Sequence, residues 1–228
     1  MKEIDSFLKF RLPNEPIFVE DIVRSFPNHS RQWIDDTLKN LVQKNRIKRF
    51  STGVYYIPVK YKNGESTLNI KMVIERKYIK NRNDVIGFYS GDSLLMKIGL
   101  INRNSEMITV VTNREKSKGR KVVIGDKTIY LKKPPTEITG NNCSALRFLE
   151  AVRIMDFMHS DRFDLEAFMN FVKNSSVRIS DINKYCMFFP DEVSKKILSG
   201  EIIKILVEKE IGSLSIGKTR ASNCAVLL

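Results

Sequence analysis

The stretch Ser30-Arg31-Gln32-Trp33-Ile34-Asp35-Asp36-Thr37-Leu38-Lys39-Asn40-Leu41-Val42-Gln43-Lys44, with Arg46-Ile47-Lys48-Arg49-Phe50-Ser51-Thr52-Gly53-Val54-Tyr55-Tyr56-Ile57 just after it, decides how the chain is read. Ile34, Leu38, Leu41 and Val42 recur at helical spacing and place one apolar stripe along a helix over 31–44. Ser30 marks its start, because a serine hydroxyl accepts an otherwise orphaned N–H of the first turn. Segments 46–50 and 54–57 are rich in β-formers and flank Ser51-Thr52-Gly53, which predicts a hairpin. Upstream, 2–12 predicts a helix with Ile4, Phe7, Leu8 and Leu12 on one face. After Pro13 and Pro16, 18–26 predicts a second helix with Phe18, Ile22 and Val23 inward, ended by Pro27-Asn28.

Helix, helix, turn, helix and basic hairpin is the order of a winged helix-turn-helix, whose third helix enters the major groove of duplex DNA. Arg31, Gln32, Lys39 and Gln43, with Ser30 at the helix start, are the candidate donors to base edges or phosphates. Lys48, Arg49, Lys60 and Lys62 on the hairpin and its exit suit phosphate contacts. Asp35 and Asp36 oppose this, since carboxylates repel phosphate unless they meet cytosine amines or lie off the DNA. The plain alternative is a small winged domain used only for protein contacts.

Charge distribution points the same way. The 228 residues hold 39 Lys+Arg against 26 Asp+Glu, a net charge of +13. Residues 1–62 carry a balance of +5, residues 63–140 of +7, and residues 141–228 of only +1. A polyanionic partner for the first 140 residues is the natural expectation. A hydrophobic share of 42% supports a buried core and excludes wholesale disorder. No apolar run approaches the roughly 20 residues of a membrane span. Met1 to Phe10, interrupted by Glu3 and Asp5, does not read as a secretory signal. Cys143, Cys186 and Cys224 lie too far apart for a zinc or disulfide pattern, so a cytoplasmic location is expected. His29 and His159 are the only histidines, which argues against metalloenzymes and histidine-based acid–base chemistry. No cofactor and no metal are expected.

Beyond a polar joint, Asn63-Gly64-Glu65-Ser66, helices are predicted over 68–79 and 92–98 and strands over 85–89, 107–112, 121–124 and 128–131. Gly125-Asp126-Lys127 turns the last two strands. From Cys143 the pattern is helical, over 143–158 (Leu146, Leu149, Val152 and Met155 on one face), 164–172, 179–188 and 191–207. Phe148, Phe157, Met158, Phe163, Phe168, Met169 and Phe171 read as core, and the tail after Gly212 as frayed. The expected class is α+β: a winged helix-turn-helix over 1–62, a small mixed α/β domain over 63–140 and a helical extension over 141–228.

Ser90-Gly91-Asp92-Ser93-Leu94 raises a nucleotidyltransferase reading, because small residues opening a helix cradle phosphate at its N-terminus. That chemistry needs a carboxylate pair on the next strand to hold Mg²⁺. Ile108-Thr109-Val110-Val111-Thr112 has none, and Asp92 inside the turn repels phosphate. An ordinary helix start, with Asp92 and Ser93 stabilising the first turn, fits better. Cys143 and His159 stand too far apart for one helical contact, and all three cysteines read as structural. The loop from Arg114 to Lys121 gathers Arg114, Lys116, Lys118, Arg120 and Lys121, so it either meets phosphate or stays a solvated turn.

Gly53-Val54-Tyr55-Tyr56-Ile57-Pro58, Tyr89-Ser90-Gly91-Asp92-Ser93-Leu94-Leu95, Ile98-Gly99-Leu100, Ile108-Thr109-Val110-Val111-Thr112 and a basic hairpin from Arg120 to Lys132 follow one another in this order. In that order the first 150 residues resemble the AbiEi-type antitoxins of type IV toxin–antitoxin (phage abortive-infection) systems. The resemblance implies a non-enzymatic repressor whose winged helix binds duplex DNA at its own operator. It also implies a second domain that counters a nucleotidyltransferase-like toxin, functionally and with or without direct contact. The 114–121 loop would then face DNA, RNA or an acidic toxin surface. The remaining segment, 151–228, matches nothing specific in that family. The alternative is an inactive or divergent nucleotidyltransferase-like protein that binds RNA.

Overall fold

A computed structural model describes residues 2–102, 107–155, 165–198 and 202–212. The protein is mixed α/β and divides into two compact units. One comprises Met1–Lys77 with Val122–Thr128, the other Tyr78–Lys121 with Ile129–Leu228.

The first unit opens with α1 (Lys2–Lys9), β1 (Ile17–Phe18), α2 (Val19–Ser25) and α3 (Arg31–Gln43). The hairpin strands β2 (Lys48–Ser51) and β3 (Val54–Tyr56) follow, turning where Gly53 adopts a positive φ of 73°. The sequence pattern did not show β1. Ile17 and Phe18 pair antiparallel with Tyr55 and Val54, which makes a three-stranded sheet in the order β1-β3-β2. The second helix therefore starts at Val19, one residue later than the apolar pattern predicts, because Phe18 is extended. Leu12 is likewise no part of the first apolar face: α1 ends at Lys9 and Leu12 is 64% exposed. Ile4, Leu8, Ile17, Ile22, Ile34, Leu38, Leu41 and Ile47 form one core. Each such side chain stabilises by about 1.5–3 kcal/mol on burial.

The segment 63–66 is a hairpin arm instead of an open joint. β4 (Lys60–Tyr61) pairs with β5 (Gly64–Glu65). Ser66 Oγ accepts from Val59 N at 2.8 Å and donates to Asn14 Oδ1. Helix α4 (Ile70–Ile74) then runs into a π-turn over Glu75–Ile79, where a single α-helix over 68–79 was expected. The tip Val122–Thr128 belongs to this unit, and a Cβ added at Gly125 would lie 3.1 Å from the Phe50 ring and 3.7 Å from Ile70.

After α4 and the π-turn come β6 (Lys80–Asn81), β7 (Asp84–Val85), β8 (Gly87–Ser90), α5 (Gly91–Lys97) and β9 (Met107–Thr112) of the second unit, then β10 (Gly119–Ile124) and β11 (Lys127–Lys132), whose shared tip Val122–Thr128 belongs to the first. The four-stranded sheet has the order β10-β11-β9-β8, with Phe88 opposite Val111 on antiparallel β8 and β9. Gly87 is required where it stands, because a Cβ there would lie 2.1 Å from Tyr78 O and 2.6 Å from Val111 O. Helices α6 (Cys143–Ile154), α7 (Leu165–Asn174), α8 (Ile179–Tyr185, continued by a 3₁₀ turn Cys186–Phe188) and α9 (Asp191–Leu198) follow, and 202–212 forms α10. These helices are not an appendage. Phe148, Phe168, Val172, Ile182, Val193 and Leu206 share one core with the sheet residues Phe88 and Val111. Phe157, Met158, His159, Phe163, Cys224 and the tail after Gly212 lie outside the described residues. No helix among the described residues is long and apolar enough to cross a membrane.

Candidate nucleic-acid interface

Helix α3 begins as its sequence dictates: Ser30 is extended (φ −65°, ψ 152°) and its Oγ accepts from Trp33 N at 3.1 Å. Ile34, Thr37, Leu38 and Leu41 are buried, so Arg31, Gln32, Asp36, Lys39 and Gln43 are left on the exposed face. Just before the helix, His29 stacks on Trp33 with ring centroids 3.8 Å apart and bonds Glu3 at 2.7 Å, which anchors the entry turn.

The exposed face is already paired internally. Arg31 Nε donates to both carboxylate oxygens of Asp35 at 3.1 and 3.2 Å. Gln32 Nε2 donates to Asp36 at 3.0 Å, and Lys39 Nζ reaches the same carboxylate at 3.2 Å. The Gln32 hydrogen bond, helped by Lys39, holds the Asp36 carboxyl below its ordinary range. Two cations and two carboxylates leave α3 without net charge. Such exposed pairs are worth at most about 1 kcal/mol, so a polyanion can displace them at little cost.

The hairpin supplies the remaining candidates. Lys48 pairs with Glu65 at 2.6 Å, and that hydrogen bond raises the lysine's affinity for its proton. Arg49 donates to Thr52 Oγ1 at 3.4 Å, and Lys60 is exposed on β4. The structure thus gathers Ser30, Arg31, Gln32, Lys39 and Gln43 on one helix, and Lys48, Arg49 and Lys60 on adjacent hairpins of the same unit.

In the second unit the basic loop has a fixed centre. Glu115 is buried; its Oε1 accepts from Ser117 N at 2.9 Å and Ser117 Oγ at 2.6 Å, and its Oε2 from Arg120 Nε at 2.7 Å. The Ser117 bonds, with Arg120 beside them, outweigh burial and hold the Glu115 carboxyl at about 2. Arg120 is therefore spoken for, while Lys116, Lys118 and Lys121 stand exposed around this knot.

Sequence reasoning missed the other carboxylate centre. Glu150 on α6, only 6% exposed at its side chain, accepts a bidentate pair from Arg153 at 2.7 Å each. It also accepts from Ser90 Oγ and sits 3.5 Å from Lys132 Nζ. Burial pushes its carboxyl up, but the bonds from Arg153 and Ser90 prevail and hold it below the usual carboxylate range. The available signal was a lone acid in the stretch Leu146 to Val152, whose other residues are apolar except Arg147. The start of α5 is correspondingly not a self-contained cap. Ser90 Oγ makes no capping bond, and Ser93 Oγ accepts from Thr109 N on β9. Cys143, pushed up by burial, donates weakly to Gly87 O at 3.9 Å.

Among the described residues no group of three His, Cys, Asp or Glu side chains is placed to hold a metal. No family model matches the chain, and no curated protein matches it significantly.

Proposed function

We propose that the first unit is a winged helix-turn-helix that binds duplex DNA, with α3 as its reading helix and the β2–β3 hairpin as its wing. One observation carries this reading: a serine-capped helix exposes Arg31, Gln32, Lys39 and Gln43 on a single face, and the next hairpin, in the same unit, bears Lys48 and Arg49. The carboxylates of Asp35 and Asp36 accept hydrogen bonds from Arg31 and Gln32 and yield them to base edges on docking. With the ordered motifs from Gly53 to Lys132, this supports a non-enzymatic autoregulator and antitoxin of a type IV toxin–antitoxin system, opposed to a nucleotidyltransferase-like toxin. The acid-free strand β9 supports the non-catalytic assignment.

The test is fluorescence anisotropy of the full chain on its own promoter and on random duplex. Binding to the promoter that weakens steeply with salt is expected, with a logarithmic slope of about −0.9 per phosphate contacted. Absence of binding to either duplex at low salt removes the DNA assignment. A chain that binds its promoter but gives no protection against the product of an adjacent toxin gene keeps the repressor role and loses the antitoxin one.

A further inference from the structure

Beside Glu150 the second unit holds a cleft of about 190 Å³, rimmed by Lys132, Lys133 and Arg153 and walled by phenylalanine and proline rings, Phe188 and Pro190 among them. Lys133 lines the same cleft, and Lys132 and Arg153 contact its one carboxylate, Glu150. Arg153 meets it through Nε and Nη2, which leaves the Nη1 edge of the guanidinium directed away from Glu150. Lys132 touches it only at 3.5 Å, and Lys133 is exposed. The cleft therefore has a surplus of positive charge fixed on a rigid strand end and a core helix. Phe188 adds a second feature, a ring that lines the same cleft and is 44% exposed. Cations next to an accessible aromatic face are what a nucleobase and its phosphate require together. The volume, below the roughly 300 Å³ of drug-sized sites, admits a phosphate and part of one ring system.

We propose that this cleft binds a base–phosphate unit, with the base stacked on Phe188 and the phosphate held by Lys132, Lys133 and the outer edge of Arg153. Glu150 acts as a positioning residue that keeps Arg153 and Lys132 in place. The proposal is independent of DNA binding by the first unit, since every residue it uses belongs to the second.

Calorimetric titration of the full chain tests it, with AMP, adenosine, inorganic phosphate and a short 5′-phosphorylated oligoadenylate as probes. AMP should bind at least about tenfold more tightly than adenosine or phosphate, because only AMP engages both features. Phe188→Ala and Lys133→Ala should each weaken AMP by roughly five- to tenfold or more. Both positions are exposed, so melting temperatures should hold, and Phe188→Leu, which keeps the bulk and removes the π-face, should weaken binding as well. The Lys48→Ala/Arg49→Ala variant should bind AMP normally. Equal affinity for AMP and oligoadenylate identifies a free nucleotide as the ligand; a marked preference for the oligomer identifies a single-stranded nucleic acid end. Absence of AMP and oligomer binding at millimolar concentration, or binding indifferent to Phe188→Ala and Lys133→Ala, overturns the proposal.

Discussion

Arginine–carboxylate pairs occur in both units, with opposite consequences. On α3 the Arg31–Asp35 pair stands in water, with side chains 59% and 38% exposed. In the second unit the carboxylate of Arg153–Glu150 is 6% exposed and that of Arg120–Glu115 is 3% exposed. The chemistry is the same; solvent decides what it does. An exposed pair is screened, exchanges freely and covers a cation until a stronger anion arrives. A buried carboxylate must keep its donors, because losing one leaves charge or polar groups stranded. The α3 pair therefore holds its cation reversibly, whereas Glu150 and Glu115 fix theirs in place.

The largest effect that sharpens this contrast is expected at Glu150. Glu150→Ala removes the acceptor for Arg153 and Ser90 and leaves a hole in α6. It should cost about 3 kcal/mol in chemical denaturation. A loss below about 1 kcal/mol would place Glu150 with the exposed pairs.

The next effect depends on pH. Glu115 titrates at about 2 in the folded protein against an ordinary 4.5. Its contribution to stability is present above the ordinary value and is lost as the pH falls from about 4.5 toward 2. Acid unfolding followed by circular dichroism should show that component, and Glu115→Gln should abolish it while lowering stability at neutral pH. An identical acid profile in wild type and variant contradicts the buried knot.

The smallest effect on stability belongs to α3. Asp35→Ala with Asp36→Ala should change unfolding free energy by less than about 0.5 kcal/mol per site. The same double variant should bind random duplex several-fold more tightly at low salt, because it uncovers Arg31, Gln32 and Lys39 and removes two like charges facing phosphate. A large stability loss with unchanged duplex binding would show that these carboxylates are structural.

Local signals carried much of this fold. The Ser30 cap, the apolar stripe of α3 and the strand Met107–Thr112 follow from residues within one element, and the structure has them at those positions. Pairings made at a distance were not legible. β1 exists only because Val54 and Tyr55 stand opposite Ile17 and Phe18, so two apolar residues before a helix read as part of that helix. Division points failed for the same reason: Asn63 to Ser66 looks like a linker until Ser66 finds Asn14 across the fold. At the interface the i,i+4 spacing of Arg31–Asp35 and Gln32–Asp36 was written in the sequence, but its outcome depended on exposure. Glu150 needed tertiary structure to acquire Ser90, sixty positions away in sequence.

The proposed DNA binding by the first unit requires α3 to read bases while the hairpin grips the backbone. The direct measurement is a salt titration of promoter and random-duplex affinity for the full chain and two variants, Arg31→Ala and Lys48→Ala/Arg49→Ala. Arg31→Ala should cost about 1–3 kcal/mol on the promoter and little on random DNA, whereas the hairpin variant should weaken both duplexes alike and flatten the salt slope. Promoter preference that survives Arg31→Ala and disappears when Lys116, Lys118 and Lys121 are replaced would put the reading head in the second unit, and α3 would no longer be the DNA-reading helix.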